Sequence, residues 1–272
     1  MIDNLIAAGK NLVQKLGFSQ LVLGVSGGVD SSFALYLATQ ILPKEQIFVY
    51  LMPVGAQSIA GAEKIVDFCE IPPANTVVSN LEECLAAEIR RISAFDTTID
   101  LAATHLYQDY LRRGNLIARL RMLTLFDQAA TKKALVLGTK NLSEKLLGYS
   151  TLYGDSASSI EFFDHLYKTQ VVQLASLVIP IELARQTPSA ELWPAQTDEQ
   201  ELGFGYAEAD RILAAHHTPH LTEQQKTTLL ADLEPVLIEK VLDRAKKYQF
   251  KQEVPYSAAD FGATWDTAQL GF

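Results

Sequence analysis

Two adjacent glycines, an aspartate and flanking serines stand in the order Ser26-Gly27-Gly28-Val29-Asp30-Ser31. They follow an apolar run and precede a helix-periodic segment. Gly27 and Gly28 let the backbone turn tightly and come close to a ligand. The serine and aspartate side chains and the amides at the start of the next helix form an anion site, helped by the helix dipole. No Gly-Lys-Ser/Thr follows, and there is no GxGxxG, so neither common nucleotide fingerprint applies. The expected chemistry is phosphate binding. A capped strand-to-helix turn is the plain structural alternative.

Other residues capable of chemistry fall in three later segments. Gly114–Met122 (GNLIARLRM) carries Asn115, Arg119 and Arg121. Gly138–Asp155 (GTKNLSEKLLGYSTLYGD) carries Thr139, Glu144 and Asp155, and Pro188–Tyr206 (PSAELWPAQTDEQELGFGY) carries Ser189 and Glu199. Lys168, Lys251 and Gln57 complete the set. Each has an ordinary explanation when read alone. Lys168, Arg119 and Arg121 suit a solvated helix face. Glu144 stands three residues after Asn141, as a capping-box glutamate does, and Asp155 after Gly154 suits a turn. The histidines suggest no metal centre: His216, His217 and His220 fall in a solvated connection, and His105 and His165 have no evident partners. Cys69 and Cys84 lack zinc-ligand spacing and read as buried thiols in a reducing compartment. Tyr107, Tyr110 and Phe126 recur at helical spacing and read as core.

The elements that must position these residues alternate in type. Apolar runs at Leu21–Ser26, Ile47–Met52, Thr76–Ser79 and Ala134–Thr139 are too short for helices and rich in Val, Leu and Ile. Helical patterns separate them, over Asp30–Leu42, Ala60–Glu70, Leu81–Ala94, Leu101–Leu111 and Asn115–Thr131. The expectation is an α/β fold, a doubly wound parallel sheet flanked by helices. Ligands in such sheets bind beyond the carboxyl ends of the strands. After Gly148 the chain reads as loop and helix, ending in a helix over Thr222–Tyr248 that Pro235 kinks or splits. An amphipathic helix opens the chain, and polar residues interrupt it too often for a signal peptide.

Bulk properties exclude several classes. The 272 residues are 48% hydrophobic, with no long linker or repeat, which suits one domain over residues 1–272. Net charge is −9, pI about 5.1 and mean hydropathy +0.08. No global positive field attracts nucleic acid or anionic lipid. No run approaches the ~18 apolar residues of a membrane span, so a cytoplasmic protein is expected.

The Ser26–Ser31 run matches SGGxDS, the loop of the ATP pyrophosphatase family. Together with the three later segments, in this order and at these spacings, it resembles the ammonia-dependent NAD synthetases from about Leu21 to Pro255. The resemblance implies a single ATP-pyrophosphatase-type domain of adenine nucleotide alpha hydrolase-like fold, working as a homodimer with ATP, Mg²⁺, ammonia and deamido-NAD. It implies that Asp30, Glu144 and Ser189 serve the metal, and that Asp30, Glu144 and Lys168 are catalytic. ATP would be held by Gly24, Ser26, Gly27, Gly28, Asp30, Ser31, Gln57, Thr139, Lys168 and Ser189. Deamido-NAD would meet Asn115, Arg119, Asp155, Glu199 and Lys251.

Four places depart from the family pattern. A lysine common before the Tyr-Gly-Asp is here Leu152, an aspartate further on is Ser159, a proline region is Glu161-Phe162, and a His-Lys pair reads Phe250-Lys251. All four concern the dinucleotide side, and they resemble variation within a branch of the family. Alternatives of the same chemistry are nicotinate mononucleotide as acceptor or, less closely, a tRNA-thiolating, argininosuccinate- or asparagine-forming enzyme. A glutamine-dependent amidotransferase would need a glutaminase module. A non-catalytic nucleotide-binding module is the alternative from another class.

Overall fold

The computed structural model describes residues 1–93, 107–189, 192–193 and 196–252, without the side chains of Tyr107 and Gln108. His105 and most of the helix expected over Leu101–Leu111 lie outside the described residues. Five parallel strands form the sheet: β1 (Leu21–Gly24), β2 (Ile47–Leu51), β3 (Thr76–Val78), β4 (Leu135–Gly138) and β5 (Ile160–Glu161), in the order β3-β2-β1-β4-β5. Register pairs Leu21 with Ile47 on one side and with Leu135 on the other. The four expected strands are present, each ending one or two residues early where the chain turns into a loop, with β4 also starting one residue later. β5 is the addition; two residues after a serine-rich turn offer no periodicity to read.

Side chains alternate across the sheet, as the strand period of two requires. Leu21, Leu23, Val49, Leu135 and Leu137 enter one core with helices α1 (Ile2–Leu16), α2 (Val29–Ile41) and α3 (Ala60–Phe68). Val22, Tyr50 and Val136 enter a second core on the opposite face. There α5 (Tyr107–Lys132) contributes Leu120, Leu125 and Ala129, and α4 (Glu82–Ser93) runs before it. Because both faces are covered, the strands read as near-continuous apolar runs.

Helix α5 is continuous where the sequence suggested a break near Gly114. A Cβ on Gly114 would stand 2.8 Å from Leu192 Cδ1, so this glycine admits a neighbouring segment rather than ending the helix. Helices α6 (Leu142–Leu147), α7 (Lys168–Ala175), α8 (Ile181–Ala184), α9 (Asp198–Leu202) and α10 (Tyr206–His217) follow. The expected C-terminal helix is split: α11 (Glu223–Leu230) starts at a Thr222 capping box, and α12 (Pro235–Tyr248) has Pro235 in its first turn. Leu146, Leu147, Leu213, Val241 and Ala245 join α6, α10 and α12 in a third core.

Three expected core assignments change. Cys84 is exposed, whereas Cys69 is buried. Phe126 is 37% exposed, on the outer side of α5. Tyr110 is half-buried, with its ring 5.8 Å from that of Trp193. Helical spacing marks a shared face but not which way it points. No helix among the described residues is long and apolar enough to cross a membrane.

Candidate active site

Strand order reverses between β1 and β4, and in open α/β sheets the crevice at that point is where ligands bind. A cavity of about 520 Å³ opens there. The loop after β1 forms its floor. Gly27 has φ +93°, and a Cβ on it would stand 2.6 Å from the Ala62 nitrogen, so only glycine fits. Ser26 and Ser31 brace the turn: their hydroxyls lie 3.1 Å apart, Ser31 Oγ donates to Gly28 O, and Gly28 N donates to Ser26 Oγ. The turn leads into the first turn of α2, whose Val29, Asp30 and Ser31 line the cavity.

The loop after β4 brings the second carboxylate. Asn141 caps α6 in a capping box, with its Oδ1 accepting from Glu144 N at 3.0 Å and Glu144 Oε2 accepting from Asn141 N at 3.3 Å. Glu144 Oε1 is left to accept from Lys168 Nζ at 3.2 Å. Lys168 also donates to Asp30 Oδ2 at 2.5 Å, and Asn141 Nδ2 donates to Asp30 Oδ1 at 2.9 Å. One glutamate therefore serves as both cap and site carboxylate.

Lys168 is the first residue of α7 and only 4% exposed. Its backbone N donates to Ser143 Oγ, which donates to Asp210 Oδ1; Asp210 Oδ2 accepts from Thr169 N. Its ammonium lies 5.3 Å from the Tyr206 ring centroid. Burial alone would lower its pKa, but Asp30 and Glu144 hold it above the ordinary value. Burial raises Glu144, with the Lys168 ammonium opposing and Asp30 adding to the rise.

Among the described residues, the cavity wall includes Gly24, Gln57, Thr139, Ser189, Asn115 and Asp155, together with Lys251. Gln57 Oε1 accepts from Val54 N, and Ser189 Oγ donates to Gln196 O. Asn115 Oδ1 accepts from Thr151 Oγ1 at 2.7 Å, and Asp155 Oδ1 from Thr151 N at 2.8 Å, so the turn role of Asp155 is real as well. Burial raises the Asp155 pKa. Lys251 donates to Gly148 O and Ser150 O, and burial lowers its pKa.

Gly27, Arg119 and Glu199 are not part of this wall. Arg119 is exposed and donates to Leu152 O at 3.3 Å, at the edge of the 148–155 loop. Glu199 is exposed too, while Asp198 and Glu201 on the same short helix face the cavity. Tyr149 donates to Glu201 at 2.6 Å and to Asp198 at 3.1 Å, and Tyr206 donates to Asp198. Burial raises the Asp198 pKa. Spacing was the available signal: positions three apart share a helix face, and Glu199 lies about 100° away. Arg121, expected on a solvated helix face, lines the cavity and donates to Met52 O, and Trp193, Arg244 and Tyr248, outside the expected set, line it as well.

The chain is similar to known proteins over most of its length. The family model described as NAD synthase matches residues 1–255. The NH(3)-dependent NAD(+) synthetase of Chlorobium phaeobacteroides is 36% identical over 256 residues, covering 91% of this chain and 84% of that protein. Among solved structures, an NH3-dependent NAD synthetase from Campylobacter jejuni is 28% identical with TM-score 0.70, covering 94% of this chain and 96% of the other. An NMN synthetase from Francisella tularensis has TM-score 0.76 at 23% identity over the same shares, a likeness of fold. The cavity at the switch point, the glycine loop beneath it and these matches lead to one conclusion: the chain belongs to the NAD synthase family.

Proposed function

We propose that this chain is an ammonia-dependent NAD synthetase, a ligase that activates the carboxylate of deamido-NAD with ATP and then exchanges AMP for ammonia. The observation that carries the reading is the Asp30–Lys168–Glu144 constellation beside the glycine loop, inside the switch-point cavity. Relatives named for this activity, 35–36% identical over most of both chains, support it.

In this reading a carboxylate oxygen of deamido-NAD attacks the α-phosphorus of ATP. The α–β anhydride bond breaks and pyrophosphate leaves. Neutral ammonia then attacks the acyl carbon, the bond from that carbon to the AMP oxygen breaks, and the new amide nitrogen sheds a proton. Gly24, Ser26, Gly28, Asp30 and Ser31 hold the phosphates through loop and first-turn groups, Gly27 shapes the turn behind them, and Gln57 and Thr139 meet the nucleotide. Lys168, fixed by two carboxylates, supplies a preorganised positive charge to phosphate oxygens. Asn115, Asp155 and Lys251 serve the dinucleotide, and Arg119 and Glu199 would reach it only at the cavity rim.

The residues fit Mg²⁺. Asp30 and Glu144 converge on one positive charge, leaving two carboxylates against a single ammonium, and Ser189 adds a hydroxyl on the same cavity wall. Mg²⁺ typically takes one or two carboxylates and fills its shell with substrate phosphates and water. When bound, it neutralises charge gathering on the departing pyrophosphate.

The nicotinate mononucleotide alternative would use the same machinery, and the Francisella likeness, below 25% identity, speaks for the fold alone. A homodimer in the cytoplasm completes the proposal, and the exposed Leu123 and Phe126 on α5 offer an apolar face for a second copy. The test is end-point amidation with ATP, Mg²⁺ and an ammonium salt. Stoichiometric AMP, pyrophosphate and NAD from deamido-NAD is the expected result; ATP binding without pyrophosphate release would instead mark a non-catalytic module.

A further inference from the structure

Arg244, on α12, lines the cavity but has no part in the chemistry proposed above. Its guanidinium lies 4.9 Å from the centroid of the Tyr248 ring and 5.9 Å from that of Tyr149. Two aromatic faces therefore fix it. The Tyr149 ring is held in turn by its hydroxyl bonds to Glu201 and Asp198. Yet Arg244 Nε is buried without a hydrogen-bond partner, one of two such side-chain atoms among the described residues. Buried donors are nearly always paired, and leaving one unpaired is costly, so an orphan on a cavity wall points to a ligand.

The surroundings indicate the sign of that ligand. Lys251 and Lys247 stand 5.0 and 5.4 Å from the same Tyr248 ring, so three cations gather around it in a chain whose net charge is −9. Lys251 feels Arg244 as a like charge that adds to the effect of burial. Two of its three ammonium donors go to Gly148 O and Ser150 O, which leaves one. Asp155, the carboxylate acting on Lys251, already accepts from the Thr151 amide. An arginine presents Nε–H and a neighbouring N–H as a fork that matches two oxygens of one anionic group.

We infer that Arg244 is a further substrate-binding residue, and that its Nε–H edge, together with Lys251, receives an anionic oxygen group of the dinucleotide acid. The inference rests on reading the cavity as a deamido-NAD site. The group is either a phosphate or the nicotinate carboxylate, and both present the paired oxygens that the fork requires.

Calorimetric titration of the full chain with deamido-NAD, NAD and Mg-ATP, each alone, tests this. Arg244→Gln should weaken deamido-NAD at least about tenfold, the scale of one charge-assisted hydrogen bond, and leave ATP unchanged. Arg244→Lys keeps the charge and the ring contacts but lacks the fork, so it should recover only part of the loss; it also serves if the glutamine variant fails to fold. NAD carries an amide in place of the carboxylate. An equal loss for NAD assigns the group as phosphate, and an unaffected NAD assigns it as carboxylate. Wild-type deamido-NAD affinity in both variants, or an equal loss for ATP, overturns the proposal. A wild-type chain that binds ATP but not deamido-NAD would overturn the functional reading, and the proposal with it.

Discussion

One ammonium between two carboxylates is the centre of the account at the residue scale. Asp30→Asn or Glu144→Gln should lower adenylation about 10²-fold or more, the scale for losing one preorganised charge-stabilising group. Both variants should fold, because Lys168 keeps the other carboxylate. Pyrophosphate release and thermal melting measure the two effects separately. Lys168→Met leaves the two carboxylates without a counter-charge in a site where their side chains are 16% exposed, and should cost about 3–5 kcal/mol in addition to the activity. These three residues were legible because motif and chemistry agreed. Glu199, which the resemblance assigns to the substrate, is exposed, while Asp198 and Glu201 of the same short helix line the cavity, a difference of helix face that the resemblance alone does not give. The cysteines give a second test. Burial pushes the Cys69 thiol up to about 12, while Cys84 is exposed. At pH 8 the Cys69 thiolate fraction is then about 10⁻⁴. One thiol per chain should react with a disulfide reagent in the native state, and two after denaturation; two fast thiols in the native protein would contradict the core packing.

At the scale of elements, the site depends on turns that aim side chains from different strands at one point. Gly27→Ala places a Cβ against the backbone at the start of α3 and forces an L-residue to φ +93°. The expected cost is about 1–3 kcal/mol of stability, with weakened ATP binding. A melt and an ATP titration check it, and an alanine variant with wild-type values in both would remove the close-approach argument. The strands and the split at Pro235 were readable because apolar runs and proline act locally. The continuity of α5 through Gly114 was not, since that glycine answers to Leu192, nearly eighty residues later. Nor was β5, which exists only because Leu137 and Gly138 offer it a partner edge. The pairing of Lys168 with Asp30 likewise joins residues 138 positions apart, a distance over which periodicity carries no information.

On the scale of the whole molecule, strand order β3-β2-β1-β4-β5 puts the glycine loop and the Glu144 loop on either side of one crevice. The cavity there extends from the phosphate loop to α12, and the proposed dinucleotide substrate would run along it. Remote contacts of such a substrate orient its carboxylate, so truncation lowers kcat/KM rather than binding alone. Ammonia must attack as the neutral species, so the rate at fixed total ammonium should rise with pH as the NH₃ fraction grows. The most direct test is a side-by-side measurement of kcat/KM for deamido-NAD and for nicotinate mononucleotide, with saturating ATP, Mg²⁺ and ammonium. A clear preference for deamido-NAD is the predicted result; a preference for the mononucleotide would contradict the account.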